Sequence, residues 1–243
     1  MAFFSILVTF IFFKKHFSFP KGIQIQIFRS VFLFFSTVFF FYAISVISLA
    51  EALTLAFISP IIATILSYFI LKEKVGPRRW VAVVAGFIGV LFVIRPGFNE
   101  INLAIVAAVG AGICYAFYLI STRKLSSIDS PLMTLVFTGF TGCIIISLIV
   151  PFFWTWLSLS QWILLISLAA IGTIAHFLLI LSLRYAEASK LAPLGYSEII
   201  MNVIIGYYFF GDFPHKWIWI GLSIIVASGV YISLRENKKK LVN

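Results

Sequence analysis

The sequence predicts an all-α fold that crosses a membrane many times, and three observations support this prediction. Of the 243 residues, 62% are hydrophobic and 11% are charged, with a mean hydropathy of +1.12. Soluble domains carry about 25% charged residues. Apolar stretches of about 20 residues, long enough to cross a bilayer core as a helix, recur throughout the chain. They do not alternate apolar and polar residues, as the strands of a transmembrane barrel would.

Nine apolar segments are predicted as helices, and the first of them is too short to span. Its about 13 residues would extend about 20 Å at 1.5 Å per residue, whereas the hydrocarbon core is about 30 Å thick. The predicted segments are residues 1–13, 25–47, 50–71, 79–95, 101–122, 131–153, 161–184, 190–211 and 215–235.

The basic residues are concentrated in alternate loops. Sixteen of the 18 Lys and Arg residues fall in one set of alternate loops, and two fall in the other set. This positive-inside pattern predicts a cytoplasmic C-terminus with a basic tail at 237–243, in a bacterial inner membrane. The net charge of +10 therefore anchors helix ends near anionic headgroups, and nucleic-acid binding is not predicted.

Two stretches of the chain repeat each other at an offset of 139 residues. The offset relates Glu73 to Asp212, and it slips by one further on, where Arg95 matches Arg235. The loop at 72–79 carries four basic residues and its counterpart at 211–216 carries one, so equivalent loops are predicted on opposite faces of the membrane. This predicts two inverted repeats, 1–99 with four to five helices and 100–236 with five.

Inverted repeats require an odd number of helices each, so the first repeat is predicted to lack its first helix. The offset places Met1 opposite Phe140, inside the second helix of the other repeat. The fold normally has ten helices, and about nine are predicted here. A misassigned start or a fragment, a degraded gene and a genuine nine-helix protein remain open explanations. The segment 1–13 has neither the basic region nor the small-residue cleavage site of a signal peptide.

The order and spacing of short motifs resemble the drug/metabolite transporter superfamily, EamA type, over essentially the whole chain. The motifs of the first copy are Phe41-Tyr42-Ala43, Ala50-Glu51-Ala52, Ser59-Pro60, Leu71-Lys72-Glu73-Lys74, and Trp80 with Gly86-Phe87-Ile88-Gly89-Val90. Those of the second copy are Arg184-Tyr185-Ala186, Ala192-Pro193, Tyr196-Ser197-Glu198, Gly211-Asp212 and Ala227-Ser228-Gly229. The resemblance implies ten helices in two inverted five-helix repeats.

One position departs from the family pattern. Ile199 follows Glu198 where the family usually has Pro, so the kink that a Pro would cause is not predicted here. Arg29, together with Tyr196 and Glu198, is also similar to members described as S-adenosylmethionine uptake carriers.

Glu198 is the leading candidate for a functional residue. A charge in the bilayer core costs at least about 2.5 to 3.5 kcal/mol, and Glu198 lies about eight residues into the segment 190–211. Its carboxyl group is predicted to couple protons or to face a cationic solute; the alternative is a neutral carboxyl group hydrogen-bonded to a neighbouring helix. Asn202 lies one turn further on the same face and is predicted to share the site.

Further candidates lie on other segments. Ser59 and Pro60 interrupt a helix, and Pro60 frees a backbone carbonyl about one turn earlier. His176 is predicted either to relay protons or to form a simple interhelical hydrogen bond. Arg29 is predicted at the cytoplasmic mouth, where it either snorkels to phosphate or binds an anionic group of the solute. Tyr196 is predicted to contribute a ring or a hydroxyl group.

The sequence therefore predicts a secondary-active carrier of a small organic solute, amino-acid-like or S-adenosylmethionine-like, that works by alternating access. The predicted partners are this solute and the bilayer, with protons as the candidate coupling ion and a homodimer left open. No cofactor or metal site is predicted, and no nucleotide-binding motif occurs. A remnant that does not transport and an intramembrane enzyme are the alternatives. The enzyme is disfavoured because neither HExxH nor GxSxG occurs.

Overall fold

Helices make up most of the described chain. The computed structural model describes residues 20–47, 49–94, 103–152, 154–195 and 197–210, together with 219–220, 223–224 and 227. No strand occurs within these residues, and the prediction of an all-α fold is confirmed. The predicted segment 1–13 and most of the predicted segment 215–235 lie outside the described residues.

The described residues form nine α-helices and one 3₁₀ turn. In chain order they are α1 (Ile23–Ile44), α2 (Leu49–Ala56), α3 (Ser59–Ile70), α4 (Pro77–Ile94), α5 (Leu103–Leu125), α6 (Pro131–Ile149), the 3₁₀ turn (Val150–Phe152), α7 (Leu159–Tyr185), α8 (Ala188–Gly195) and α9 (Ser197–Phe210). Four segments are long and apolar enough to cross a membrane: α1, α5, α6 with its 3₁₀ turn, and α7. They coincide, within a few residues, with four of the predicted spans.

Local sequence explains where two of the long helices begin. The Ser130 hydroxyl accepts a hydrogen bond from the Met133 N–H, and Pro131 occupies the first turn of α6, where a missing N–H costs nothing. Helix α7 begins with a capping box, in which the side chains of Ser158 and Gln161 bond each other's backbone N–H groups.

The first repeated stretch contains a pair of helices where the sequence predicted one. Residues 50–71 form α2 and α3, which are separated by a turn at Phe57 and Ile58. Residues 190–211 fall mainly in α8 and α9, whose described residues lie on either side of Tyr196. Tyr196 itself lies outside the described residues.

Pro60 accounts for the break between α2 and α3, because it has no N–H with which to continue a hydrogen-bond ladder out of α2. In the second stretch Pro193 and Gly195 lie in α8, just before Tyr196.

The chain divides into two compact units. The first consists of Met1–Phe34 and Ser121–Ala186, and in it α6 packs against α7. The second consists of Phe35–Ile120 and Glu187–Asn243. In the second unit α3 packs against α8, and α4 contacts α2, α3 and α8. The repeat boundaries at 1–99 and 100–236 remain a prediction, because a division by contacts does not test a sequence repeat.

Candidate functional site

The end of α8 lies against the start of α3 in the second unit. Pro60, in the first turn of α3, is buried, as is its neighbour Ser59, which is 6% exposed. A Cβ atom built on Gly195, the last residue of α8, would lie 3.9 Å from Cγ of Pro60. Two of the predicted site residues therefore lie where α3 meets α8.

The backbone carbonyl that Pro60 leaves without its usual donor is that of Ala56, at the end of α2. Helix α5 covers it: a Cβ atom on Gly112 would come within 2.5 Å of the Ala56 oxygen and 2.8 Å of Cγ2 of Ile58. The freed carbonyl therefore packs against the backbone of α5, and only a glycine allows this close approach.

Glu198 and Asn202 lie one turn apart on α9, as the helical spacing predicted. The Glu198 side chain is exposed in the second unit, whereas Asn202 is partly buried. The Nδ2 atom of Asn202 is itself buried and has no hydrogen-bond partner among the described residues. A buried amide donor of this kind is suited to an acceptor atom that a ligand supplies.

Two tyrosines of α5 lie near this part of α9. Tyr115 is within electrostatic range of Glu198, and its ring stacks on that of Tyr118 with a centroid distance of 5.6 Å. Tyr118 is completely buried. Tyr196, a predicted site residue, lies outside the described residues.

In the first unit, Arg29 of α1 is completely buried. Its Nε atom donates a hydrogen bond to Oγ1 of Thr122 at 2.7 Å. Its Nη1 and Nη2 atoms donate to Oγ1 of Thr138 at 2.8 and 2.7 Å, and Nη1 also donates to the Thr134 carbonyl at 3.0 Å. The guanidinium group therefore ties α1 to α5 and α6, and the interpretation that it snorkels to lipid phosphate is wrong.

A chain of hydrogen bonds joins Arg29 to a carboxylate at the start of α1. Nη1 of Arg29 donates to Oε1 of Gln26 at 3.4 Å, and Nε2 of Gln26 donates to Oδ2 of Asp129 at 3.0 Å. Asp129 also accepts from the Lys21 N–H at 2.9 Å, just before α1 begins. Gln26 and Asp129 thereby place an anion two hydrogen bonds away from the buried cation.

Sequence reasoning missed these hydrogen-bond partners of Arg29. One signal was available, because Thr134 and Thr138 are four residues apart and therefore share a face of a helix. His176, on α7, is half-buried and within electrostatic range of Arg29. The structure therefore brings Arg29 and His176 together in the first unit. It places Ser59, Pro60, Glu198 and Asn202 in the second.

Apolar spanning helices with polar and charged side chains along them define a multi-pass membrane protein with a polar interior site. The chain belongs to the EamA-like transporter family, whose sequence profile matches residues 1–95 and 102–234. Family membership confirms the resemblance drawn from the motifs and indicates a transporter rather than an enzyme.

Individual relatives agree with the family assignment. The chain is 34% identical to a riboflavin transporter of Vibrio cholerae over 198 residues, which are 78% of this chain and 64% of that protein. It is 27% identical to an S-adenosylmethionine uptake transporter of Rickettsia bellii over 214 residues, which are 88% of this chain and 74% of that protein. The corresponding transporter of Rickettsia conorii is 28% identical over 214 residues, with 88% and 73% covered. The chain thus spans between 64% and 74% of the length of these relatives.

The fold also occurs in a solved crystal structure. That structure matches 96% of this chain and 84% of its own chain with a TM-score of 0.73, at 17% sequence identity. At this identity the match shows a shared fold.

Proposed function

We propose that the chain is a secondary carrier that moves a small organic solute across the membrane by alternating access. The observation that carries the proposal is the contact between α3 and α8 at Pro60 and Gly195. One helix of each repeated stretch takes part in this contact, and α3 begins at it, after the break that follows α2. Carriers built from inverted repeats bind solutes at discontinuous helices, because helix ends present unpaired backbone groups.

The polar residues near this contact give the proposed site its chemistry. Asn202 offers a buried amide donor, and Glu198 offers an exposed carboxylate one turn away. Asn202 is proposed to bind an acceptor atom of the solute. Glu198 is proposed to face the cationic group of the solute or to exchange a proton. Ser59 and Pro60 border the site at the start of α3, and Tyr196 is proposed to add a ring.

Arg29 and His176 form the second part of the proposal. The charge of Arg29, which α5 and α6 hold in place through Thr122 and Thr138, would attract an anionic group such as a carboxylate. His176 is proposed to pass a proton near this charge. The hydrogen bonds to two helices keep the guanidinium in one orientation, so that its contribution is electrostatic rather than that of a mobile side chain.

The proposed solute is amino-acid-like or S-adenosylmethionine-like. A solute with an amino group and a sulfonium would present cations to Glu198. The Vibrio cholerae relative is named for riboflavin, a solute without such cations. A comparison of these two solutes therefore tests the assignment of Glu198 directly.

The experiment measures uptake of radiolabelled S-adenosylmethionine and of riboflavin by the purified protein in proteoliposomes, with and without an inward proton gradient. We expect uptake of S-adenosylmethionine, and we expect Glu198→Gln combined with Asn202→Ala to reduce it at least about tenfold, the effect of losing about 1.4 kcal/mol. Ser147→Ala, an exposed position on α6, is the matched control and should transport normally.

Two results would change the proposal in different ways. Unchanged uptake by the double variant would overturn the site on α9. Uptake of riboflavin without S-adenosylmethionine would leave the carrier intact and overturn the assignment of its solute.

A further inference from the structure

Glu73 binds the first turn of α8 with both carboxylate oxygens. It lies in the loop between α3 and α4, and its Oε1 and Oε2 atoms accept hydrogen bonds from the N–H groups of Ala188 and Ser189, each at 3.0 Å. Ala188 and Ser189 are both buried. A helix begins with N–H groups that have no partner within the helix, and a carboxylate there also meets the positive end of the helix dipole.

Arg79 strengthens the same junction from the start of α4. Its Nη1 atom donates to Oε2 of Glu187 at 2.8 Å and to Oγ of Ser189 at 3.0 Å. Lys190 reaches the other oxygen of Glu187, Oε1, at 2.9 Å. We name Glu73, Arg79, Glu187 and Lys190 the latch. Its contacts are charge-assisted hydrogen bonds and ion pairs, which are stronger than neutral hydrogen bonds.

The backbone before Glu73 is held in an unusual conformation. Lys72 has φ of 54°, the left-handed region in which residues other than glycine are uncommon. The Glu73 N–H bonds back to the Ser67 carbonyl at 3.2 Å, so the chain reverses sharply after α3. Such conformations persist where the surroundings enforce them, often at switching sites. Here the conformation directs Glu73 towards α8.

We propose that the latch holds one face of the carrier closed and has to open in each transport cycle. It joins the α3–α4 loop to the start of α8, whereas Gly195, two turns further along α8, meets Pro60. The latch therefore holds the start of a helix that borders the proposed solute site further along. The basic loop at 72–79 is predicted to face the cytoplasm, where water would solvate the N–H groups released on opening. This inference rests on the proposed alternating access.

The test measures how readily a reporter cysteine on α8 reacts. Ala192→Cys, at a position 7% exposed and one turn beyond Ala188, is introduced into the full chain together with Cys114→Ser and Cys143→Ser. A membrane-impermeant maleimide is added to inside-out and, separately, to right-side-out vesicles. We expect Glu73→Gln to raise the labelling rate at least about fivefold from the cytoplasmic side, an effect of about 1 kcal/mol. Arg79→Gln should raise it by less.

Asp129→Asn is the matched control, because Asp129 accepts N–H groups at the start of α1 as Glu73 does at the start of α8. It should leave the labelling rate within about twofold of the parent. An unchanged labelling rate in Glu73→Gln overturns the latch. An equal rise of the labelling rate in Asp129→Asn also overturns it, because both substitutions would then loosen the whole protein.

Two features of the experiment separate loss of the latch from misfolding and from loss of transport. The melting temperature of every variant shows that it is folded. If Glu73→Gln does not insert, Arg79→Gln carries the test, and an unchanged labelling rate in that variant overturns the latch. The assay needs no solute, so the latch and the proposed transport activity can fail separately. Retained uptake with unchanged labelling would refute the latch alone.

Discussion

At the scale of single residues, Glu187 is held as an anion between two cations. Burial alone would raise the pKa of its carboxyl group, but the hydrogen bonds and charges of Lys190 and Arg79 outweigh burial and lower that pKa below its usual 4.5. A carboxyl group whose pKa is lowered by folding stabilises the protein above its unfolded pKa, and this contribution disappears as the pH falls through the folded pKa.

Acidification should therefore weaken the parent protein more than Glu187→Gln. We expect the melting temperature of the parent in detergent to fall more steeply between about pH 6 and pH 3.5, because only the parent has this carboxylate to protonate. The two proteins are compared by thermal unfolding across this range. Asp129→Asn, which removes a different carboxylate, is measured alongside them. Parallel curves for the parent and Glu187→Gln would show that Glu187 contributes nothing to the pH dependence.

Arg29 illustrates which part of a site a sequence can reveal. Its position near the start of an apolar segment marked it as a candidate, and its predicted partners were lipid phosphate or an anionic group of the solute. Its surroundings were not predictable, because Thr122 and Thr138 lie about 100 residues away in the sequence and converge on it only through packing. The Arg29 side chain is therefore buried in the protein. Its distance from the predicted membrane boundary, taken alone, suggested that it reaches the lipid surface.

At the scale of elements, close approach of helices depends on particular glycines. A methyl group on Gly112 of α5 would meet the Ala56 oxygen at 2.5 Å and Cγ2 of Ile58 at 2.8 Å. A methyl group on Gly142 of α6 would meet nothing within 4 Å. The same substitution therefore has different costs on these two helices.

Gly112→Ala should destabilise the protein by about 1 to 3 kcal/mol, because the backbone at the end of α2 has to move to admit the methyl group. Gly142→Ala, the control with open space, should be neutral or slightly stabilising, since alanine is the better helix former. Unfolding of both variants in detergent, followed by tryptophan fluorescence, checks the difference. Equal stabilities would mean that α5 does not press on α2 in the membrane.

The sequence predicted the long helices well and the short ones less well. Hydropathy identified α1, α5, α6 and α7, because twenty apolar residues in a row have one stable arrangement in a bilayer. The pair α2 with α3 was predicted as a single span, since its apolar run is continuous through the interruption. Ser59 and Pro60 did mark that interruption.

At the scale of the whole molecule, loop charges predict how the chain is oriented. The positive-inside pattern predicts that the basic tail at 237–243 lies in the cytoplasm. A green fluorescent protein fused after Asn243 should therefore fluoresce in cells, and alkaline phosphatase fused there should be inactive. Active phosphatase with a dark fluorescent fusion would reverse the predicted orientation, together with the cytoplasmic assignment of the latch.

The fold tolerates wide changes of sequence. A solved structure with 17% identity retains the fold with a TM-score of 0.73. Lipid-facing positions accept any apolar side chain, because lipid tails and leucine are equally apolar. Differences between members should therefore concentrate in the few polar side chains inside the protein. These residues are the place to seek the identity of the solute.

Helix α7 supplies a depth scale for this polar interior. Trp154, Trp156 and Trp162 cluster at its first end, and Arg184 is exposed at its last turn. Tryptophan is enriched at membrane interfaces, and arginine is enriched at the cytoplasmic ends of spanning helices. Trp162 and Arg184 are 22 positions apart, about 33 Å along the axis. His176 is eight positions before Arg184, about 12 Å along the axis from it and about 21 Å from Trp162. A proton that reached His176 from the side of Trp162 would thus have about a third of the membrane's voltage drop still to cross.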